Sequence, residues 1–130
     1  MRELIGKTVS VTTVVTEDST ARAVGSGCLG VFATPMMLAL MEQAACACLA
    51  CTLAEGQTSV GTQANIAHTA ASPIGAKITA TAAITGVEGR RIDFAVSASD
   101  DAGEIGQGTH TRVIVDAEKI MLKADSRKAG

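Results

Sequence analysis

Apolar and polar positions alternate along two segments in the second half of the chain. In residues 76–87, AKITATAAITGV, the alternating apolar positions are Ile78, Ala80, Ala82 and Ile84, and in residues 91–100, RIDFAVSASD, they are Ile92, Phe94, Val96 and Ala98. A period of two places alternate side chains on opposite faces of a β-strand. Both segments are therefore predicted to be half-buried strands with one face toward solvent.

Three further segments have the composition of strands. Residues 7–15, KTVSVTTVV, are rich in Val and Thr, and residues 57–70 and 104–116 continue the strand-like pattern. Glu88-Gly89 and Ala102-Gly103 are short turn signals between the later segments. Turns this short join antiparallel neighbours. The pattern predicts a first strand followed, later in the chain, by an antiparallel meander of about four strands.

One long apolar segment separates the first strand from the others. Residues 33–54 read ATPMMLALMEQAACACLACTLA, and Glu42 is their only charged residue. Thr34 is a good N-cap and Pro35 is tolerated at the first helical position, while Gly56 supplies a C-terminal exit after Ala54. We predict a helix about 30 Å long. Before it, residues 17–33 are predicted to form a loop that either approaches a ligand or is simply a flexible turn.

These elements define an α+β chain in which a single sheet wraps around one long helix, a layout that resembles the hotdog fold. Its 130 residues fit one domain, 1–130, with a core of about residues 5–122 and a polar, frayed tail after Lys123. Hotdog domains usually pair, so we expect a homodimer or a higher oligomer.

Composition narrows the range of partners. The net charge is −2, the signs are interspersed and the only aromatic residues are two Phe, so a nucleic-acid partner is not expected. The start of the chain lacks the apolar stretch of a secretory signal, and Glu42 with Gln43 interrupts the apolar segment, which argues against a membrane span. We expect a soluble cytoplasmic protein. Cys46, Cys48 and Cys51 cannot converge on one metal ion from a single helix and are interpreted as small buried hydrophobic residues.

Four polar side chains are candidates for chemistry. Glu42 has only apolar neighbours three and four residues away, so its carboxylate needs a partner from another element or a solvent-exposed edge of the helix. His68 ends a strand, a position that favours either catalysis or a structural role, and mid-strand His110 is a weaker candidate. Thr34 needs no role beyond capping. Thr34 and Glu42 are about 12 Å apart along a helix, so a shared site requires two subunits or a later helix start.

Four blocks of sequence, taken together, show a resemblance over about residues 30–120. They are VFATPMMLALMEQAAC, SVGTQANIAHTAASPIG, VEGRRIDFAVSASD and EIGQGTHTRVIVD. In order and spacing they resemble the fluoroacetyl-CoA thioesterase-like family of hotdog thioesterases. The resemblance implies a catalytic set of Thr34, Glu42 and His68 and places Gly61 at the acyl-binding end, where its N–H would serve as an oxyanion donor. Phe32 is the only aromatic residue before the helix, where the fluoroacetyl-specific enzyme has an aromatic lid, so fluoroacetyl selectivity is not implied.

The implied activity is metal- and cofactor-independent hydrolysis of a short acyl-CoA to acid and thiol. Glu42 would act as base or nucleophile, His68 would stabilise charge or protonate the leaving thiolate, and Thr34 would orient Glu42 across a dimer interface. Two alternatives remain at this point. One is an acyl-thioester dehydratase or hydratase of the same fold, and the other is a non-catalytic domain that binds or senses acyl-CoA.

Overall fold

A five-stranded antiparallel sheet forms the body of the protein in the computed structural model, which describes residues 1–129. Its strands are β1 (Thr8–Val14), β2 (Gln57–His68), β3 (Lys77–Glu88), β4 (Arg91–Asp100) and β5 (Gly103–Asp116). The five predicted strands are confirmed. Their spatial order is β1-β3-β4-β5-β2, so the predicted four-strand meander is wrong: only β3, β4 and β5 follow one another, while β2 pairs with the far side of β5.

Two glycines of β5 explain how closely β2 can lie beside it. A side chain at Gly106 would place its Cβ 2.6 Å from the carbonyl oxygen of Ala67, and one at Gly108 would overlap the carbonyl oxygen of Asn65. Contacts this short are forbidden to a real Cβ, so β2 can occupy this edge only because β5 carries glycine at both positions. β1 and β2 are the two outer strands of the sheet.

The long helix is shorter than predicted at its C-terminal end. The helices are α1 (Ala21–Val24), α2 (Thr34–Leu49) and α3 (Ala117–Ala129), with 3₁₀ turns at Arg2–Leu4 and Glu17–Ser19. The predicted end of α2 near Ala54 is wrong, because the amide of Ala54 donates to the side-chain oxygen of Gln57 at 2.9 Å and not to a helical carbonyl. The chain then turns through Gly56 at φ 82°, and α2 is about 24 Å long.

The core lies between α2 and the inner face of the sheet. The alternation predicted for β3 and β4 is confirmed, since all eight of its apolar positions are buried, as are seven residues of α2: Met37, Leu40, Met41, Ala44, Ala45, Cys48 and Leu49. Helix α2 packs mainly against β3 and β1. Small side chains on both surfaces allow this close approach.

The cysteine prediction holds for one position of α2 only. Cys48 is buried, its thiol donates to the carbonyl oxygen of Ala82 at 3.5 Å, and burial raises the pKa of the thiol. Cys46 and Cys51 are exposed, so their prediction as buried residues is wrong. Residues 46 and 48 point in nearly opposite directions around a helix, which is why only one of the two can face the sheet.

Two segments predicted to be irregular contain helix. Residues 17–24 form a 3₁₀ turn followed by α1, and the tail predicted to fray after Lys123 continues as α3 to Ala129. The carboxylate of Asp116 accepts the amide of Lys119 at 3.0 Å, which caps α3 at its start. Within residues 1–129, none of the helices has the length and apolar character needed to cross a membrane.

Candidate functional site: two polar groups on one helix

Thr34 and His68 meet where α2 begins and β2 ends. The hydroxyl oxygen of Thr34 lies 2.7 Å from Nδ1 of His68, a hydrogen bond between residues 34 positions apart in sequence. Thr34 is the first residue of α2, and the N-cap is Ala33, which makes no side-chain capping bond. The predicted N-cap role of Thr34 is therefore wrong, because its hydroxyl is engaged by the histidine.

His68 is half-buried and held in its neutral form. Burial lowers the pKa of the imidazole, and the nearby backbone of Ala70 opposes this shift only in part. Its Nε2 is buried and has no hydrogen-bond partner among the described residues. Polar atoms in protein interiors are normally paired. The arrangement thus leaves one imidazole nitrogen unpaired and closed off from solvent within the described chain, while Thr34 fixes the ring through the other.

Glu42 belongs to a second polar group, at the middle of α2. Its Oε2 accepts a hydrogen bond from Nη1 of Arg112 at 3.0 Å. The rest of that guanidinium is fixed by Ser59, whose hydroxyl accepts from Nε at 2.8 Å and whose carbonyl accepts from Nη2 at 3.1 Å. The Arg112 side chain is 8% exposed and that of Glu42 is 39% exposed. The carboxylate thus has a fixed cation behind it and solvent in front.

His110 is the fourth member of this second group. It is 2% exposed, and its Nδ1 lies 2.8 Å from the carbonyl oxygen of Gln63. A carbonyl can only accept, so Nδ1 carries the proton and Nε2 presents a lone pair. That lone pair faces Nη1 of Arg112 at 3.3 Å, while Oε2 of Glu42 is 3.7 Å away. Nη1 of Arg112 therefore links the histidine to the carboxylate. We call Glu42, Arg112, His110 and Ser59 the carboxylate cluster.

Gly61 makes room for the carboxylate. A Cβ at this position would lie 2.6 Å from Oε2 of Glu42 and 3.2 Å from Cε1 of His110. Real side chains do not tolerate the shorter of these distances, so any residue other than glycine would displace Glu42. The predicted role of the Gly61 amide as an oxyanion donor stays a prediction, but the lack of a side chain has a direct structural reason.

The carboxylate cluster and the Thr34–His68 pair are separate within one protomer. Thr34 and Glu42 are eight residues apart on α2, a rise of about 12 Å along the helix axis. Each has its own partners, so no hydrogen bond joins Thr34 to Glu42 within the described chain. One chain therefore presents two halves of the predicted catalytic set at two points along the same helix.

A bulge in β2 places Gly61 and His68 on the same face of the sheet. Seven positions separate them, so a regular strand would put them on opposite faces. The register between β2 and β5 shifts between Gly61 and Gln63. After the shift His68 pairs with Gly106, whose absent Cβ would contact Met37 of α2. Both residues of β2 consequently face the helix.

Phe32 lies beneath a cavity of about 270 Å³ that also contains Thr34 and His68. The phenyl ring is 2% exposed, so it forms part of the core as well as the cavity floor. The cavity is open to solvent, and we call it the loop cavity; the rest of its lining consists of small side chains, Ala21, Ser26, Val31, Thr69, Ala70 and Ala71. Across residues 1–129, no group of three or more His, Cys, Asp or Glu side chains is arranged to hold a metal ion.

Sequence reasoning missed Arg112 and Ser59 and undervalued His110. A usable signal was present in GTHTR: residues 110 and 112 lie two apart on a strand and so share a face. A histidine and an arginine on the face that later carries buried Ile114 are the cationic partners that an isolated helix carboxylate requires.

A family model described as fluoroacetyl-CoA-specific thioesterase matches residues 15–118. The fluoroacetyl-CoA thioesterase of Streptantibioticus cattleyicolor is 46% identical over 93 residues, which cover 72% of this chain and 67% of that protein. The chain belongs to the fluoroacetyl-CoA-specific thioesterase family. Its predicted assignment as a thioester hydrolase is confirmed at this level.

Solved structures support the same conclusion. The fluoroacetyl-CoA thioesterase FlK, in a variant bound to acetyl-CoA, superposes with a TM-score of 0.92 at 37% identity and 98% coverage of both chains. A hot-dog-like protein from Thermanaerovibrio acidaminovorans matches with a TM-score of 0.88 at 26% identity, over 98% of this chain and 96% of that one. The predicted hotdog fold is confirmed.

Proposed function

We propose that the protein hydrolyses a short acyl-CoA to the free acid and CoA, with Thr34, Glu42 and His68 as the reacting set and without a metal or cofactor. The observation that carries this proposal is the 2.7 Å hydrogen bond between Thr34 and His68, which fixes an imidazole whose other nitrogen has no partner among residues 1–129. Structures of FlK indicate the substrate class: variants of FlK have been solved with acetyl-CoA and with fluoroacetate plus CoA. We assign acyl-CoA binding to this chain on that likeness.

The hydrolytic group is Glu42. Its carboxylate is either the base that removes a proton from the attacking water or the nucleophile that forms a mixed anhydride with the acyl group. In the first route, hydroxide adds to the thioester carbonyl and the C–S bond then breaks. In both routes Arg112 holds the carboxylate oxygen at a fixed position, and the exposed side of Glu42 is where water or thioester arrives.

The histidine acts on the carbonyl oxygen or the leaving group. With the Thr34 hydroxyl donating to Nδ1, the imidazole proton resides on Nε2, the atom that has no partner among residues 1–129. Nε2–H then donates a hydrogen bond to the developing oxyanion or to the departing CoA thiolate, and the proton that Glu42 removed from water neutralises the thiolate, so the imidazole stays neutral. Gly61 N–H is the second proposed donor and Phe32 contacts the acyl group from the cavity floor. Thr34 is thereby assigned to orienting His68 instead of Glu42.

The two halves are joined in a homodimer. Because about 12 Å of helix separates Thr34 from Glu42 in one chain, the proposed site combines Thr34 and His68 of one protomer with Glu42 of its partner. A two-fold symmetric pair of chains makes two such sites. The predicted cytoplasmic location and the absence of nucleic-acid or membrane partners accompany this proposal and are not needed by it.

The test is thiol release from acetyl-, fluoroacetyl-, propionyl-, hexanoyl- and benzoyl-CoA by the purified protein, with Glu42→Gln beside it. Turnover of at least one thioester that falls about 10²–10⁴-fold in the variant is expected. Glu55→Gln is the matched control, since Glu55 is also a glutamate but lies exposed beyond the end of α2. No release from any member, or equal release by Glu42→Gln, would refute the proposal.

A further inference from the structure

His110 is a buried titratable residue to which the proposed mechanism gives no role. It is 2% exposed and lies two residues before Arg112 on β5, so the two side chains share the inner face of the sheet. Its ring stacks on that of Phe94, with 6.0 Å between the ring centroids. A buried polar group is costly unless it is hydrogen-bonded. The partners of the two ring nitrogens therefore indicate what His110 does.

One ring nitrogen ties His110 to strand β2. Nδ1 donates to the carbonyl oxygen of Gln63 at 2.8 Å, at the point where the strand resumes its register after the shift that follows Gly61. This bond fixes the orientation of the ring and its neutral tautomer, because a carbonyl can only accept. The lone pair of Nε2 is thereby held in one direction, toward the guanidinium.

The other ring nitrogen faces Arg112. Each terminal nitrogen of a guanidinium carries two hydrogens. Nη1 of Arg112 lies 3.0 Å from Oε2 of Glu42 and 3.3 Å from Nε2 of His110. Without the histidine, one of these hydrogens would lose its acceptor in a side chain that is only 8% exposed. An unpaired buried donor is costly, so the guanidinium would turn toward another acceptor and away from Glu42.

We propose that His110 is a positioning residue for the reaction. By accepting a hydrogen bond from Nη1, it sets the direction in which Arg112 holds the carboxylate of Glu42. This inference rests on the proposed function, because Glu42 is the hydrolytic group named there. His110 is buried and its Nε2 is 3.7 Å from Oε2 of Glu42, so it acts through Arg112 and not on the substrate. Its loss should therefore lower kcat and leave KM nearly unchanged.

His110→Gln and His110→Asn separate the two ring nitrogens. A glutamine amide reaches the place of Nε2, so its oxygen accepts from Arg112 while the donor to Gln63 is lost. An asparagine amide reaches the place of Nδ1, so it donates to Gln63 while the acceptor is lost. We expect kcat to stay within about threefold of the wild-type value in His110→Gln and to fall about tenfold in His110→Asn.

The other patterns would each overturn the proposal. A loss in His110→Gln alone would assign His110 to holding the bulge of β2, and equal losses in both variants would assign it to packing against Phe94. No loss in either would show that Arg112 needs no acceptor behind it. Urea unfolding verifies that each variant is folded in the assay. If His110→Asn does not fold, His110→Gln decides alone: retained kcat supports the proposal and a loss of about tenfold overturns it.

A double variant tests whether His110 acts through Arg112. Independent effects would make His110→Asn combined with Arg112→Lys about 100-fold slower than the wild type, the product of two losses of about tenfold. We expect a loss of only about tenfold, because the lysine has already given up the geometry that His110 directs. A decrease of about 100-fold would overturn the route through Arg112.

Crystal structures of the two single variants give a readout that needs no turnover. Nη1 of Arg112 should stay bonded to Oε2 of Glu42 in His110→Gln and should leave it in His110→Asn. That result would support the positioning role even if the wild-type protein released no thiol, an outcome that refutes the hydrolase assignment alone. An unchanged bond in His110→Asn would overturn the positioning role, whatever the activity of the wild-type protein.

Discussion

The two polar groups on α2 differ in charge, burial and dependence on their surroundings. The Thr34–His68 pair is neutral, is held by one hydrogen bond of 2.7 Å and lies beside an open cavity. The carboxylate cluster is charged, and its Arg112 makes hydrogen bonds to Glu42 and Ser59 while almost fully buried. The first group has an imidazole nitrogen without a partner among the described residues. The second group contains a carboxylate that is fixed by a hydrogen bond from Arg112.

This difference indicates how the steps of the proposed reaction are divided between the carboxylate and the histidine. A carboxylate must be held firmly and kept away from competing partners to act as base or nucleophile, and a buried arginine accomplishes this. A histidine that must donate a hydrogen bond to the oxyanion or the thiolate needs an unpaired nitrogen and room for substrate. In the proposed mechanism two protomers meet these two demands together, and four experiments test that division.

The largest effect is expected from mixing two inactive variants. Glu42→Gln and His68→Asn homodimers should each be impaired about 10²–10⁴-fold. In a mixed dimer, the intact His68 of the first chain meets the intact Glu42 of the second, so one of two sites is whole. After unfolding and refolding an equimolar mixture, thiol release should return to about a quarter of the wild-type value, because half of the dimers are mixed.

No recovery in that mixture, with mixed dimers verified by differently tagged chains, would place each site within one protomer. The control is each variant carried through the same refolding alone. Recovery there would show that the treatment itself, and not complementation, restores activity.

Gly61→Ala tests the geometry of the carboxylate cluster. The new methyl group would lie 2.6 Å from Oε2 of Glu42, so the carboxylate has to move away from Arg112. We expect kcat to fall about 100-fold while the Thr34–His68 pair is unaffected. Gly89→Ala at the exposed β3–β4 turn, where φ is 60°, is the control for a glycine under backbone strain; comparable losses of activity in the two variants would contradict the specific role of Gly61.

Arg112→Lys should weaken the hydrogen bonding within the carboxylate cluster without abolishing it. Lysine keeps the positive charge but cannot bond Ser59 and Glu42 at the same time in the planar geometry of a guanidinium. The loss of one charge-assisted hydrogen bond corresponds to about a tenfold decrease in kcat, with KM little changed. Arg91→Lys, an exposed arginine in β4, is the matched control. An unchanged kcat in Arg112→Lys would show that fixed orientation of Glu42 is unimportant.

The smallest expected effect is the contribution of His68 to the pH dependence of the free energy of unfolding. Because burial lowers the pKa of His68, the unfolded chain binds more protons than the folded one once the pH falls below the ordinary histidine pKa of about 6.5. The free energy of unfolding should therefore decrease as the pH is lowered from about 7 to 5, and His68→Asn should make this decrease smaller.

Urea unfolding of both proteins at several pH values measures that difference. A wild-type protein that becomes more stable relative to His68→Asn on acidification would show that His68 is stabilised in its charged form, contrary to the assignment of a neutral imidazole.

Much of the fold followed from local patterns. Alternation of small and branched apolar residues was sufficient to locate β3 and β4, because one face of each strand is buried against α2 and the other is not. The position of β2 was not accessible in this way. Its pairing with β5 depends on Gly106 and Gly108, and a glycine leaves no periodic hydrophobic signal.

Prediction of the site was limited in a similar way, because the partners of its residues are distant in sequence. Glu42 stood out because a lone carboxylate in an apolar helix requires a partner, yet that partner, Arg112, is 70 positions away in sequence. Thr34 satisfied the rules for an N-cap, and only the approach of His68 shows why its hydroxyl is not used for capping. Long-range contacts decided the outcome in both cases.

The bulge in β2 determines which side chains of the strand face helix α2. One extra residue near Thr62 reverses which positions of the strand face the helix, so Gly61 and His68 meet the helix although an odd number of steps separates them. Loss of a single residue there would preserve every functional side chain and most of the sheet, yet turn His68 toward solvent. A relative can therefore retain Thr34, Glu42 and His68 in name and still lack the site, if its chain has one residue fewer between Gly61 and His68.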